Sequence, residues 1–202
     1  MSYPKDLTIR GRKVALRGVT ERDAEFILAL RTDASLNRYL SATDNDLGRQ
    51  RRWISEYRQR DTEWYFIIED LTGAALGTVR IYDVRGKSFC WGSWVLAGDA
   101  PSHAAIESAL LVYEFAFGWL GFSASHFDVR KDNERVIAFH RRFGARDAGE
   151  DDANLHFTYG RADYERARER YRKFLPDEVR VEPAGPPLAR ERGLSSGGES
   201  ER

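Results

Sequence analysis

Apolar and polar positions along the chain change period several times, and each change marks an element. "KVALRGVT" (13–20) alternates apolar and polar residues, the period-two signature of a strand with one buried face. "TERDAEFILALRTD" switches to helical spacing from Glu21, with Thr20 as N-cap and Asp23 at the capping-box position. "DNDLGRQRRWISEYRQR" (44–60) predicts a second helix with Leu47, Trp53, Ile54 and Tyr57 as its apolar members. The middle turns β: "EWYFIIED" (63–70), "ALGTVRIYDV" (75–84) and "SFCWGSWVL" (88–96) are joined by short glycine-containing links, the pattern of an antiparallel meander.

The next stretch, "WVLAGDAPSHAAIESALLVYEFAF" from Trp94 to Phe117, breaks an apolar strand at Gly98-Asp99-Ala100-Pro101 and starts an apolar helix, predicted over about 102–119. The backbone N–H groups at such a helix start suit an anion. "SASHFDVRK" (123–131) then predicts a strand, and "DNERVIAFHRRFGA" (132–145) a helix stopped by Gly144. "ANLHFTYG" (153–160) is a last strand, and "RADYERARERYRKFL" (161–175) a charged helix. Helices separate the later strands, so the order β-α-α-β-β-β-α-β-α-β describes a mixed α/β sheet rather than a sandwich. After Leu175, proline, glycine, serine and charge dominate, so we expect one domain over 1–175 and a disordered tail over 176–202.

Bulk properties narrow the function classes. Of 202 residues, 42% are apolar, enough for a core, and 32 basic residues balance 32 acidic ones. That balance argues against a nucleic-acid partner, which usually meets a basic excess. Cys90 is the single cysteine, so no intramolecular disulfide forms, and no Cys/His cluster suggests a metal. The N-terminus lacks a signal-peptide core and no apolar run is long enough to span a bilayer, so the expectation is a cytoplasmic protein without membrane contact.

The element order, together with "GDAPSHAAIESA" and "VRKDNERVIAFHRRFGA", resembles the GNAT superfamily of acetyl-CoA-dependent N-acetyltransferases over about residues 10–175. It is most similar to the branch containing ribosomal-protein N-terminal acetyltransferases and amino-sugar-nucleotide N-acetyltransferases. The shared pattern falls on Val129, Asn133, Phe139, His140 and Gly144, with Ala145 where that branch usually has Phe. The resemblance implies a GNAT-like, mostly antiparallel sheet flanked by helices, with the fourth and fifth predicted strands (88–96 and 123–131) splayed around the pantetheine arm of acetyl-CoA. It implies that Trp94, Val95 and Leu96 offer backbone groups to that arm. Ser102, His103, Ala104 and Ala105 at the helix start would hold the pyrophosphate, Asn133 would fix the arm, and His140 would lie near the thioester sulfur. The phosphate loop departs from the family pattern: Pro101 and His103 stand where glycines are usual, and Ala100 where a basic residue is.

Amine acetylation needs a neutral nitrogen, a polarised thioester and a proton for the departing thiolate. His140 is the candidate for that proton, because an imidazole with an ordinary pKa of about 6.5 changes charge near working pH. For a base, Asp128 and His126 share one face of their strand, and Tyr82 and Asp83 end theirs; each taken singly is better read as an ordinary sheet-surface residue, and such enzymes can work without a dedicated base. Trp91, with Trp64 and Tyr82, could line an acceptor pocket or simply belong to the core. Gly92 between Trp91 and Trp94 suggests a bulge. Arg49, Arg51, Arg52, Arg58 and Arg60 are a solvated helix face or a phosphate-recognising one, and Cys90 reads as a buried small hydrophobe. The expected activity is transfer of an acetyl group to a small-molecule amine, by preference an amino-sugar nucleotide. A protein N-terminal acetyltransferase and a non-catalytic acyl-CoA-binding module are the alternatives, and a homodimer is left open.

Overall fold

The computed structural model describes residues 4–183. A nine-stranded sheet runs in the order β7-β8-β6-β5-β4-β3-β2-β1-β9. Its strands are β1 Leu7–Arg10, β2 Val14–Gly18, β3 Trp64–Asp70, β4 Ala75–Arg85, β5 Ser88–Leu96, β6 Ala124–Arg130, β7 Arg146–Glu150, β8 Asn154–Gly160 and β9 Arg180–Pro183. The helices are α1 Ala24–Thr32, α2 Leu47–Arg58, α3 Ser102–Tyr113, α4 Glu134–Phe143 and α5 Arg161–Arg170. The expected mixed α/β sheet is present, and all six predicted strands are in it.

Strand β3 shows how the two sides are filled. Successive side chains point to opposite faces of a sheet. Trp64, Phe66 and Ile68 therefore enter the core that α3, α4 and α5 cover. Tyr65 and Ile67 enter a second core with Ile27 of α1 and Ile54 and Tyr57 of α2. A strand buried on both faces reads as a continuous apolar run, and "WYFII" is that run. The local signals act as expected. Asp23 accepts from the Thr20 backbone N–H at 2.7 Å ahead of α1, Asp46 caps α2 by accepting from Arg49 N–H at 2.9 Å, and Gly144 ends α4 in the left-handed region at φ 101°.

Three elements were not predicted. β7 and β9 are edge strands of five and four residues with little apolar alternation, made strands by pairing with a neighbour; β1 does alternate, with Leu7 and Ile9 in the core, but over only four residues. β9 corrects the expected disorder from 176. It pairs antiparallel with β1, and Val179 just before it is buried, so the fold continues to Pro183. The rest of that expected tail, 184–202, lies outside the described residues. The predicted helix over 102–119 is α3 continued by a wider π-type turn over Glu114–Trp119. Among the described residues no helix is long and apolar enough to cross a membrane.

Candidate active site

The site forms where β5 parts from β6. These two strands are parallel and pair only at Ser88↔Ala124 and Phe89↔Ser125. Beyond Phe89 the β6-facing edge of β5, through Trp94, Val95 and Leu96, has no ladder partner. Backbone donors and acceptors left this way suit an extended chain carrying amides. The opening is set by a bulge. Ser93 and Trp94 together oppose Val79, between the pairs Thr78↔Val95 and Arg80↔Gly92. Ser93 takes φ 47°, and its carbonyl accepts from the Thr78 hydroxyl at 2.9 Å.

The extra residue decides which face each side chain meets. Without it, Trp91 and Trp94 would point to opposite faces. With it both lie on the α3–α4 side, 5.3 Å apart between ring centroids. The Trp94 indole N–H donates to Ser108 of α3 at 3.2 Å, and its ring lies 5.0 Å from Phe139 of α4. His140 completes this cluster, 4.3 Å from the Phe127 ring and 5.5 Å from Trp91. The sequence expectation that His140 titrates near neutral pH is corrected here. Apolar surroundings withhold solvation from the charged ring and push its pKa down to about 3, so the imidazole is neutral at working pH.

The start of α3 corrects part of the phosphate-site expectation. Ser102 is exposed and His103 partly so, and the first-turn N–H groups of these two residues remain for an external acceptor. The Ala104 N–H is already donated to the Pro101 carbonyl at 2.9 Å, and Ala104 is fully buried. Gly98 lies in open space where an added Cβ would touch nothing, so the loop does not need glycine for its own packing. The unpaired β5 edge and the free N–H groups before α3 fit an acyl-CoA, the first for its amide-bearing arm and the second for its pyrophosphate. Asn133 serves α4 itself, as N-cap to Val136 N–H at 3.4 Å.

The other face of the sheet carries a cavity of about 320 Å³ whose wall includes Arg31, Arg49, Trp53, Tyr65, Arg80 and Ser93. It abuts the bulge from the side opposite His140. Arg80 lies between the Trp53 and Tyr82 rings, 5.0 and 4.9 Å from their centroids, and its guanidinium pairs with Glu63.

Not every predicted substrate residue belongs with this cavity. Trp64, Ile81 and Trp91 form one row across three strands, and both tryptophans are buried on the α3 side; neither lines the cavity. Tyr82 is on the cavity face, its hydroxyl 2.8 Å from where a Cβ on Gly92 would lie. Burial, then the neighbouring Cys90 and Asp128, raise the Tyr82 phenol pKa. Cys90 is buried as expected, with its thiol pushed up to about 11 mainly by burial. Asp128 is exposed on the same face. His126 bridges Ser88 Oγ at 2.7 Å and Asp83 at 3.4 Å, tying β6 to β5 and β4 where the splay begins.

Of the five arginines expected on the second helix, four lie in α2 and Arg60 just past it, and only Arg49 reaches the cavity. Arg58 pairs with Asp6 and Arg60 with Glu63, while Arg51 and Arg52 are exposed. Arg31, Arg80 and Ser93 were missed. The bulge expected at Gly92 in "WGSW" could have pointed to Ser93, but nothing local marks the other two.

A splayed parallel pair, a bulged strand edge and a free helix N-terminus beside it define a class of acyl-CoA-dependent transferases. The chain matches the acetyltransferase (GNAT) domain family over residues 13–146 and belongs to it. It is therefore an acetyltransferase with acetyl-CoA as cosubstrate. Among solved structures it is similar to apo FdhC, described as a nucleotide-linked sugar GNAT, at 42% identity and TM-score 0.78 over 84% of this chain and 98% of that one. A GCN5-related N-acetyltransferase from Brucella melitensis shares the fold at 16% identity and TM-score 0.72, over 88% of each chain. So does the spermidine N-acetyltransferase SpeG from Vibrio cholerae, at 14% identity and TM-score 0.64 over 79% of this chain and 96% of that one. No curated protein matches the chain.

Proposed function

We propose that the acceptor is the primary amine of a nucleotide-linked amino sugar, acetylated directly while both substrates are bound. The observation that carries this reading is the arginine- and aromatic-walled cavity abutting the β5 bulge, on the face opposite His140. The likeness to a nucleotide-linked sugar GNAT supports it. Two substrates can then meet at the splay from opposite sides of the sheet.

Acetyl-CoA supplies an acetyl group activated as a thioester. The C–N bond forms as the C–S bond breaks, one proton leaves the nitrogen, and one reaches the sulfur. The β5 edge from Trp94 to Leu96 binds the amide-bearing arm, and the Ser102 and His103 N–H groups bind the pyrophosphate. The amine loses its ammonium proton to solvent before attack, since none of Arg31, Arg49 and Arg80 in the cavity wall can accept one. The nucleophile is thus prepared without a dedicated base. His140, being neutral, takes part through its ring N–H, which stabilises the departing thiolate by a hydrogen bond; the net proton is exchanged through solvent.

Thiol release from acetyl-CoA, measured with amino-sugar nucleotides, the corresponding free amino sugars and short peptides, tests the reading. The nucleotide-linked acceptors are expected to show the highest kcat/KM, by about 10-fold or more, the worth of one charge-assisted hydrogen bond. A preference for peptides would replace it with protein N-terminal acetylation.

A further inference from the structure

Three guanidinium groups reach the cavity wall, against one acidic residue, Asp44. They are not equivalent. Arg49 is neutralised by Asp44 and Asp46, and Arg80 by Glu63. Arg31 makes no ion pair among the described residues. At the end of α1, its Nε donates to the Thr43 hydroxyl at 2.7 Å, and its Nη2 to the Ser41 hydroxyl at 2.8 Å and carbonyl at 3.2 Å. These uncharged acceptors fix the guanidinium plane without cancelling its charge, and among the described residues Nη1 has no acceptor. A guanidinium held in this way is prepared for an anion, and its planar fork matches phosphate oxygens.

We propose that Arg31 is the specificity-determining residue that selects a phosphorylated acceptor, binding a phosphate oxygen while the amine points to the bulge at Ser93. This rests on the proposed use of the cavity as the acceptor site and adds what that use discriminates. The loop carrying Ser41 and Thr43 is part of the same device, because it holds Arg31 in the orientation the phosphate meets. Trp53 and Tyr65 give the same wall its aromatic part. The same uncompensated charge disfavours polyamines, whose own cations would meet Arg31. The phosphate could belong to a nucleoside diphosphate or to a plain sugar phosphate, which the same contact would recognise.

Arg31→Met and Arg31→Lys separate the possibilities. With CoA saturating its own site, calorimetry measures binding of a nucleoside diphosphate, an amino-sugar 1-phosphate and inorganic pyrophosphate. Unchanged CoA affinity reports that each variant is folded. Arg31→Met should weaken binding of the phosphorylated probe about 10- to 100-fold, and Arg31→Lys less, since a point charge replaces the fork. In turnover, KM for a nucleotide-linked amino sugar should rise by the same factor with kcat nearly unchanged, while kcat/KM for the free amino sugar should not fall. Binding of the nucleoside diphosphate alone assigns the phosphate to a nucleotide, and binding of the sugar phosphate alone to that simpler class.

Equal losses for phosphorylated and free acceptors would make Arg31 a structural prop and overturn the proposal, as would no change in either. If no amino-sugar nucleotide is a substrate but Arg31→Met still abolishes nucleoside diphosphate binding, the acceptor assignment fails while the anion site stands. If such substrates are turned over and Arg31 is indifferent, the reverse holds.

Discussion

Replacing His140 by Phe removes a titrating group from a pocket where its charge is not solvated, and the consequence can be worked out in advance. The folded pKa is about 3 against an ordinary 6.5. A depressed folded pKa means that the unfolded chain binds more protons between these values, so stability rises with pH through that window and is lost as pH falls through it. At about 1.4 kcal/mol per unit, the full loss on protonation is about 5 kcal/mol. Between pH 8 and pH 5 the linkage relation gives a loss of about 2 kcal/mol from His140 alone. Urea unfolding of the wild type and His140→Phe at both pH values should show that difference: the wild type should lose about 2 kcal/mol more than the variant on acidification. The comparison is between slopes, so any fixed effect of the substitution on packing cancels.

Kinetics make the same test from another side. A neutral imidazole acting as hydrogen-bond donor predicts a fall in kcat of about 10- to 100-fold in His140→Phe. It also predicts that kcat does not decline through pH 6 to 8, whereas an imidazolium acid would lose activity as it deprotonated there. Parallel pH–stability curves for the two proteins, or an alkaline limb near pH 6.5 that vanishes in His140→Phe, would refute the account of a ring kept neutral by burial.

Gly92→Ala places a Cβ 2.8 Å from the Tyr82 hydroxyl; the ring must shift, and we expect a loss of about 1–2 kcal/mol in urea unfolding with a raised acceptor KM. Ser102→Glu puts an acid in the first turn of α3, where it favours the helix by a few tenths of a kcal/mol but opposes a pyrophosphate, so thermal stability should hold while KM for acetyl-CoA rises several-fold. Ending the chain after Leu175 removes β9 and buried Val179, and the melting temperature should fall by several degrees. At Ser93 the φ of 47° makes glycine the easy replacement and a β-branched residue the hard one. Ser93→Gly should therefore be near neutral and Ser93→Val lose about 1–2 kcal/mol on chemical denaturation, with equal stability of the two ruling out the left-handed bulge.

The strands that carry the site were legible because each buries at least one face. Burial writes itself as alternation, or in "WYFII" as an unbroken run. β7, by contrast, is exposed at every position, RDAGE, so no hydrophobic pattern records it; its partner β8 supplies the ladder. The donor side of the site was likewise visible, in Gly92 between two tryptophans and in a helix start after a broken strand. The proposed acceptor side was not. Arg31 ends one helix and Arg80 sits in mid-strand, 49 positions apart in sequence, and only the packing of α1 and α2 on the sheet brings them to one wall. The run of arginines on and just past α2 looked more like a phosphate site because it is contiguous, yet a helix sends contiguous residues in different directions. Its members accordingly find Asp6, Glu63, Asp44 and solvent. Zero net charge concealed the cavity for the same reason: it is an average over the whole chain, and the field in a cleft depends on the few charges that face it.

The bulge in β5 joins these two halves of the argument. A regular strand would give Trp94 to the arginine-walled cavity and take Ser93 away from it, since side chains alternate strictly. One additional residue reverses both. Trp94 packs between α3 and α4 beside His140, and Ser93 is delivered to the arginine-walled side. A second bulge at Asp83 and Val84 in β4, opposite Phe89, bends the neighbouring strand just where β5 still pairs with β6. Asp83, also at positive φ (48°), reaches across to His126 of β6. The closed end of the splay is thus tied by side chains from β4, β5 and β6, while its open end is freed by the bulge at Ser93. Non-glycine residues at positive φ are sparsely populated and persist where surrounding contacts over-determine them. Here the Thr78 hydroxyl fixes one and the His126 contact the other. The two strained positions therefore bracket the segment from Cys90 to Gly92, and they hold open the part of the sheet where the proposed function brings the two substrates together.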